Sequence, residues 1–174
     1  PVIVLMNGGS ASASEIFAGG ILGTGAGIVI GERSYGKGVA QIVYDGTNCP
    51  YLTDDAVKVT AYRFYCAGGN TSDRVGVIPT LYIPQGTASA VAQMLAGEKP
   101  TAGSAYLHLV LNGLSFYMDI AEAKQQTPAL EAVLRALAPD AELYWGENGT
   151  EERVTSAQVR ERCGKAEMSM DLSD

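Results

Sequence analysis

The sequence predicts an α/β protein, with part of a crossover core followed by a small second α/β domain. Three observations predict this class. An apolar run at residues 2–6 is followed by a helical pattern and then by a second apolar run at residues 27–30. Residues 39–44 and 57–65 form two further runs that are typical of β-strands, and are expected to form a hairpin. A stretch rich in Gly, Pro and Ser near residue 100 then separates these elements from later helix and strand signals.

The first elements predict a crossover connection. Residues 2–6 are continuously apolar, which is typical of a fully buried strand, and Asn7-Gly8-Gly9 ends that run. The helical pattern begins at Ser12, which has capping-box spacing with Glu15. Because a strand, a helix and a strand follow one another here, the two strands are expected to be parallel.

The middle of the chain predicts a loop at residues 31–38, then the two hairpin strands, and then a short strand at residues 81–83. A helix is predicted over residues 88–95, with Thr87 as its N-cap.

The later part of the chain predicts a small α/β domain. Asn112-Gly113 interrupts a strand pattern and indicates a hairpin. Thr127 is expected to cap a helix that runs to residue 137, with Pro128 at its first helical position. A strand at residues 142–145 follows, and Thr155 or Ser156 is expected to cap the last helix. The predicted division is residues 1–98 for the first domain, 99–104 for a linker and 105–174 for the small domain, whose role the sequence does not reveal.

Composition excludes some classes of function. The net charge is −7 and the pI is near 4.7, without a concentrated block of Lys or Arg. A nucleic-acid partner is therefore not expected, because binding to phosphates needs a basic face. The three cysteines, Cys49, Cys66 and Cys163, match no metal-binding spacing. Cys49 and Cys66 flank a β run and could be bridged in an exported protein; the alternative is three free thiols.

Ser12 lies where a buried strand is expected to turn into a helix. The first N–H groups of a helix have no intrahelical partner, so they can stabilise an oxyanion beside a serine nucleophile. The helix dipole also favours negative charge at that end. The alternative interpretation is that Ser12 serves only as a helix cap.

A serine nucleophile needs a base, and the sequence offers two residue types for this role, histidine and lysine. The single histidine, His108, lies in an alternating strand pattern of the second domain, where a structural role is expected. A lysine can serve when burial keeps its amine uncharged, since burial lowers a lysine pKa by up to roughly 3–5 units. Lys37 suits this role because Gly36 and Gly38 on either side allow the backbone to approach a site closely.

The same loop has most of the pattern of a phosphate-binding loop. Gly31 and Gly36-Lys37 have the required spacing, but Gly38 stands where a Ser or Thr would hold Mg²⁺. A strand is expected after the loop, so no helix N-terminus would face bound phosphates. Nucleotide binding is therefore not predicted.

Two segments, 7–15 (NGGSASASE) and 29–41 (VIGERSYGKGVAQ), together resemble the core signature of the C-terminal-processing, or tail-specific, serine peptidases. The resemblance implies that Ser12 is the nucleophile, that Lys37 is the base and that Gln41 helps to hold the lysine. It also implies that the backbone N–H of Ala13 contributes to the oxyanion hole, together with a glycine of an upstream Gly-Gly motif that these 174 residues do not include.

The family resemblance implies further properties. These are a crotonase- or ClpP-like core, a PDZ domain in an upstream half of the same polypeptide, an extracytoplasmic location, protein or peptide substrates cleaved near their C-termini, and chemistry without a metal or other cofactor. The leading hypothesis is thus that the complete polypeptide is a serine endopeptidase with a Ser-Lys dyad. This chain alone is expected to be inactive. The second hypothesis is a silent module on the same fold that binds peptides or hydrophobic ligands without cleaving them.

Overall fold

The structure is a computed structural model that describes residues 1–100 and 103–164. The chain forms two compact units. The first unit is Val4–Pro79 with Val2, and the second begins at Thr80 and also includes Pro1 and Ile3. Residues 101–102 of the predicted linker and residues 165–174 of the predicted small domain lie outside the described residues. The predicted domain limits stay a prediction, although residues 80–98 group by their contacts with the later unit.

The first unit contains the predicted crossover. Its elements are β1 (Val2–Met6), α1 (Ala13–Thr24), β2 (Gly27–Gly31), β3 (Val39–Tyr44) and β4 (Val57–Arg63). Val2 N–H donates to Ala26 O at 3.2 Å, and Glu32 N–H donates to Met6 O at 3.0 Å. Because both ends of β1 meet the corresponding ends of β2, the two strands are parallel, as the sequence predicts.

A small apolar core lies beneath α1. The buried residues Met6, Ala18 and Val29 pack together with Val77, and Leu22 of α1 packs against them. This core fixes where β1 ends and α1 begins, and so positions the turn that carries Ser12.

The hairpin of β3 and β4 is antiparallel and runs from the pair Val39–Arg63 to the pair Tyr44–Val57, with a register shift between Ala40 and Gln41. Every residue of β4 is exposed.

The second unit is built around a four-stranded antiparallel sheet of order β7-β6-β8-β9. Its elements are β5 (Leu81–Tyr82), α2 (Gln85–Leu95), β6 (Tyr106–Leu111), β7 (Leu114–Asp119), α3 (Ile120–Gln125), α4 (Thr127–Ala136), β8 (Glu142–Glu147), β9 (Thr150–Arg153) and α5 (Ser156–Arg162). Leu107, Leu109 and Leu111 of β6 are buried, as expected for alternate residues that face one side of a sheet.

Two predicted turn and cap features are confirmed. Asn112 and Gly113 have φ values of 51° and 77°, which is the backbone that a tight two-residue hairpin turn requires. The side chain of Thr155 accepts a hydrogen bond from Gln158 N–H at 3.2 Å and caps α5.

Two predicted caps are wrong. Helix α2 begins at Gln85 with Pro84 as its N-cap, so Thr87 lies inside the helix. Proline is compatible with a helix start because the N–H that it lacks is not needed there. The N-cap of α4 is Gln126 in place of Thr127, because α3 and α4 follow each other directly and Gln126 serves as the end of one and the start of the other.

Candidate active site

Ser12 has an unusual backbone conformation at the turn between β1 and α1. It is the N-cap residue of α1, with φ 57° and ψ −114°. A non-glycine residue rarely adopts a positive φ, and such a conformation costs about 1–3 kcal/mol where it occurs. The side chain of Ser12 makes no capping hydrogen bond. The hydroxyl is therefore not used to start the helix, and a strained serine at a strand-to-helix turn is an arrangement that presents a nucleophile.

Ala13, the predicted oxyanion donor, is the first residue of α1 and is exposed. The next N–H groups of this turn are engaged, since Ser14 donates to Ala11 O and Glu15 to Ser12 O. Within residues 1–100 and 103–164, the N–H of Ala13 has no acceptor. This is the group that can bind a developing negative charge beside Ser12.

The carboxylate of Glu15 joins the turn of Ser12 to the loop of Lys37. It is completely buried and accepts four hydrogen bonds. Its Oε1 accepts from Ser34 Oγ at 2.5 Å and from Gly36 N–H at 2.7 Å. Its Oε2 accepts from Ser12 N–H and from Lys37 N–H, both at 2.8 Å. The main-chain nitrogens of Ser12 and Lys37 thus share one oxygen and lie no further apart than two hydrogen-bond lengths.

The charge of Glu15 is stabilised by these bonds. Burial by itself would raise the pKa of the Glu15 carboxyl, but the hydrogen bonds from Ser34, Ser12, Gly36 and Lys37 outweigh it and lower that pKa below its ordinary value of 4.5. The group is therefore a carboxylate, and an acceptor only, throughout the neutral range.

The loop of Lys37 is held from its other side by residues 72–77. Gly36 has φ 95°, and its carbonyl accepts from Arg74 N–H at 2.8 Å. A Cβ on Gly38 would lie 2.5 Å from the backbone nitrogen of Asp73. The two glycines thus allow the close backbone approach that the sequence predicts, and half-buried Lys37 lies between them.

Gln41, the third predicted residue, lies on β3 and is exposed. Its Nε2 donates to Thr60 Oγ1 on the facing strand at 3.4 Å. The structure thus brings the backbones of Ser12 and Lys37 together, whereas the amide nitrogen of Gln41 is engaged by the hairpin. The role of Gln41 in holding the lysine stays a prediction.

A groove of about 380 Å³ lies beside Ala13. Its surface is polar and apolar in similar measure and comes from β1, the following turn and the first two turns of α1: Val4, Leu5, Met6, Ser10, Ala13, Ser14, Phe17 and Ala18. Leu5 is 49% exposed and Phe17 59% exposed, so the groove is open to solvent. It has room for a substrate side chain next to the unengaged N–H.

His108 forms a separate hydrogen-bonded chain on the sheet of the second unit. Its Nε2 lies 2.9 Å from Ser115 Oγ and its Nδ1 lies 3.1 Å from Glu151 Oε2. Its ring stacks between those of Tyr117 and Tyr144, at centroid distances of 4.6 and 5.5 Å. The order serine, histidine, carboxylate matches that of a catalytic triad. Ser115, however, lies within the regular strand β7 and has no helix N-terminus beside it, unlike Ser12. The hydrogen-bonded network of Ser115, His108 and Glu151 is therefore interpreted as structural, which is the role that the sequence predicts for His108.

The described residues also bear on metal and nucleotide binding. Within the described residues, no group of three or more His, Cys, Asp or Glu side chains is placed to hold a metal ion. The loop that resembles a phosphate-binding loop leads into strand β3 and has no helix behind it. Within the described residues no disulfide is formed, so Cys49 and Cys66 are not bridged. In the part of the chain that the structure describes, no helix is both long and apolar enough to cross a bilayer.

Sequence reasoning missed two residues of this site. The sequence predicts Glu15 only as part of a capping box, and it predicts no role for Ser34. Ser34 is buried, donates to Glu15 and accepts from Val77 N–H at 2.6 Å. The position of the charged Glu15 between small and apolar neighbours is a sequence signal that its side chain could be buried and paired. No local pattern, however, connects Glu15 with a loop about 20 residues later.

Comparisons with known proteins concern the first half of the chain. Residues 1–83 match the model of peptidase family S41. A carboxy-terminal-processing protease of Bartonella bacilliformis is 36% identical over 85 residues, which are 49% of this chain and 18% of that protein. A chloroplastic C-terminal processing peptidase of Tetradesmus obliquus is 38% identical over 84 residues, which are 48% of this chain and 17% of that protein.

Among solved structures, a photosystem II D1 C-terminal processing protease is 36% identical and has a TM-score of 0.43, covering 50% of this chain and 21% of that chain. The chain thus spans less than a fifth of the length of these curated relatives.

Proposed function

We propose, on the premise that residues 1–83 match the model of peptidase family S41, that the complete polypeptide is a serine endopeptidase that cleaves protein substrates near their C-termini. The nucleophile is Ser12 and the base is Lys37. One observation carries the proposal: a strained, uncapped Ser12 shares, through Glu15 Oε2, a hydrogen-bonded bridge with the backbone of Lys37.

The reaction is acyl transfer from an amine to water. Lys37, with its amine uncharged, takes the proton of the Ser12 hydroxyl while the oxygen attacks the scissile carbonyl carbon. The lysine then gives this proton to the leaving amine, and an acyl-enzyme remains on Ser12. A water molecule, deprotonated by Lys37, then attacks the acyl group. The ester bond to Ser12 Oγ breaks, Lys37 returns the proton to that oxygen, and the new C-terminus is released. No metal or cofactor is needed to balance these steps.

The negative charge on the carbonyl oxygen is stabilised by the N–H of Ala13. Removing one donor from an oxyanion hole typically lowers kcat by about 10²–10³-fold. The family resemblance implies that a second donor comes from an upstream Gly-Gly motif. We therefore expect the 174-residue chain alone not to hydrolyse peptides, whereas the complete polypeptide does.

The groove beside Ala13 has room for a side chain of the substrate next to the bond that is cleaved. The crotonase- or ClpP-like core, the upstream PDZ domain and the extracytoplasmic location are proposed on the resemblance alone. Gln41 is proposed to orient the lysine once substrate is bound.

The experiment is peptide cleavage by the complete polypeptide. Ser12→Ala and Lys37→Ala are expected to abolish cleavage of an unstructured peptide, and Lys37→Arg is expected to be no better, because an arginine does not become a neutral base. A fluorophosphonate probe is expected to label Ser12. Ser89→Ala, at an exposed position of α2, is the matched control and should retain cleavage.

Two results would contradict the proposal. Labelling of another serine, such as Ser115, would remove the assignment of the nucleophile. Recovery of the peptide bound but intact, with no labelling of any serine, would support the silent binding module. Cleavage by the 174-residue chain alone, abolished by Ser12→Ala, would overturn only the expected inactivity of the chain.

A further inference from the structure

We propose that Glu15 is a positioning residue: its carboxylate sets the spacing between the turn of Ser12 and the loop of Lys37, and the chemical step depends on both of its oxygens. This inference rests on the proposed roles of Ser12 and Lys37. It goes beyond them because Glu15 itself does not touch the reacting atoms in that mechanism.

The division of labour between the two oxygens supports this role. Oε2 accepts from Ser12 N–H and Lys37 N–H, so it connects the two candidate catalytic residues directly. Oε1 accepts from Ser34 Oγ and Gly36 N–H, so it fixes the same loop at a second point. Four donors meet the roughly four lone-pair sites of one carboxylate. The spacing therefore depends on one group and not on several replaceable contacts.

An amide in place of the carboxylate would disturb this arrangement without changing its size. Glutamine has one carbonyl oxygen, and its NH₂ group is a donor. With its NH₂ group towards Ser12 and Lys37, a glutamine would leave both of these N–H donors unpaired. With the opposite orientation it would leave Gly36 N–H unpaired, and the Ser34 hydroxyl would have to turn and accept. Since Glu15 is completely buried, water cannot easily replace the lost bonds.

The charge of Glu15 is balanced by hydrogen bonds alone. Among the ion pairs of residues 1–100 and 103–164, none involves Glu15. The group also lies at the N-terminal turn of α1, where the helix dipole favours an anion. The charged carboxylate of Glu15 therefore serves to accept the four hydrogen bonds that fix the turn and the loop, and not to neutralise a cation.

Ser34 anchors Glu15 to the rest of the first unit. Its Oγ donates to Glu15 and accepts from Val77 N–H at 2.6 Å, and its own N–H donates to Val77 O at 3.1 Å. Ser34→Ala removes one of the four donors and leaves the bonds to Ser12 and Lys37 in place. A smaller effect is therefore expected from Ser34 than from Glu15.

The test is steady-state kinetics and fluorophosphonate labelling of the complete polypeptide. A displacement of about 1 Å between reacting groups can lower a rate about 10²-fold. Glu15→Gln is thus expected to lower kcat, and the labelling rate at Ser12, about 100-fold, with KM within about threefold because Glu15 does not line the groove. Glu15→Asp keeps the carboxylate and should recover part of the loss.

The matched control is Glu131→Gln, which removes the charge of another buried, hydrogen-bonded glutamate in the second unit. It should lower the unfolding temperature but leave kcat unchanged. If Glu15→Gln lowers kcat no more than this control, or if Glu15→Asp recovers nothing, the role of Glu15 is structural and the inference is wrong.

The outcomes separate the inference from the proposed function. A wild-type polypeptide that neither cleaves peptides nor is labelled at Ser12 refutes the proposed function. An active wild type with an unchanged kcat in Glu15→Gln refutes only the inference. If Glu15→Gln does not fold, Ser34→Ala decides: a kcat about 3- to 10-fold lower at unchanged KM is expected, and an unchanged kcat overturns the inference.

Discussion

At the scale of single residues, Ser12 has a strained backbone and a side chain that makes no capping hydrogen bond. Its backbone has a left-handed φ, and its hydroxyl does not cap the helix that it precedes. A residue selected for stability alone would be a glycine, or a serine whose hydroxyl caps α1. The surrounding hydrogen bonds, above all that of Glu15 to Ser12 N–H, hold the residue in this conformation. Such strain is found where geometry serves chemistry.

Substitutions of Ser12 should therefore affect stability in an unusual way. Loss of a capping serine normally costs about 0.5–2 kcal/mol, whereas Ser12→Ala is expected to change the free energy of unfolding by less than about 0.5 kcal/mol. Ser12→Gly is expected to raise it by up to about 1 kcal/mol, because relief of about 1–2 kcal/mol of strain exceeds the entropy that glycine adds to the unfolded chain. Urea unfolding of the 174-residue chain measures both. A loss above about 1 kcal/mol in Ser12→Ala would mean that the hydroxyl caps α1.

At Gly38 the limit is steric: the residue must be glycine because a side chain has no room there. Because an added Cβ would lie 2.5 Å from the backbone nitrogen of Asp73, Gly38→Ala should destabilise the first unit by about 1–3 kcal/mol. It should also displace Lys37 and lower the rate at which Ser12 is labelled in the complete polypeptide. The control is Gly20→Ala in α1, where no atom lies within 4 Å of the added Cβ. That change should stabilise by about 0.5–1 kcal/mol, and equal effects in urea unfolding at both positions would contradict the steric argument.

At the scale of elements, local signals decided which predictions succeeded. Strand β1, helix α1 and strand β2 carry strong apolar patterns, and Asn112-Gly113 specifies its hairpin by backbone conformation. Helix α3 and strand β9 are short and polar, so they have no such pattern and were not predicted. The site follows the same rule. Ser12 and Lys37 were proposed from short motifs, and their roles stay a prediction, whereas the link through Glu15 joins elements about 20 residues apart and appears only in the fold.

Helices α4 and α5 of the second unit are joined by Glu131, and this link should depend on pH. The hydrogen bonds from Arg160, and then those from Arg135, lower the pKa of the Glu131 carboxyl below its ordinary 4.5 in spite of its burial. Its stabilising contribution is therefore complete above pH 4.5 and is lost as the pH falls through the lower, folded value. Glu131→Gln is expected to cost about 1.5–3 kcal/mol at pH 7 and progressively less towards pH 3, by urea unfolding. Exposed Glu98→Gln is the control, and a cost of Glu131→Gln that is constant with pH would contradict the role of the charge.

At the scale of the whole molecule, a net charge of −7 accompanies an exposed apolar hairpin. The large apolar side chains of β3 and β4 that face solvent include Val43, Tyr44, Val57, Val59 and Tyr62. A two-stranded hairpin also has two open edges, which favour pairing with another chain. Charge repulsion opposes this association at neutral pH and disappears near the pI of 4.7.

The isolated 174-residue chain should therefore self-associate through the hairpin as the pH approaches 4.7. Val59→Lys places a charge at the centre of the apolar hairpin, where Val59 is 43% exposed and faces Ile42, and should lower the associated fraction several-fold in sedimentation velocity. Gln93→Lys makes the same change in net charge on the exposed side of α2 and is the matched control. If both variants associate equally, net charge alone governs the behaviour and the hairpin is not the contact. If only Val59→Lys stays monomeric, the exposed strands are the surface through which the chain associates.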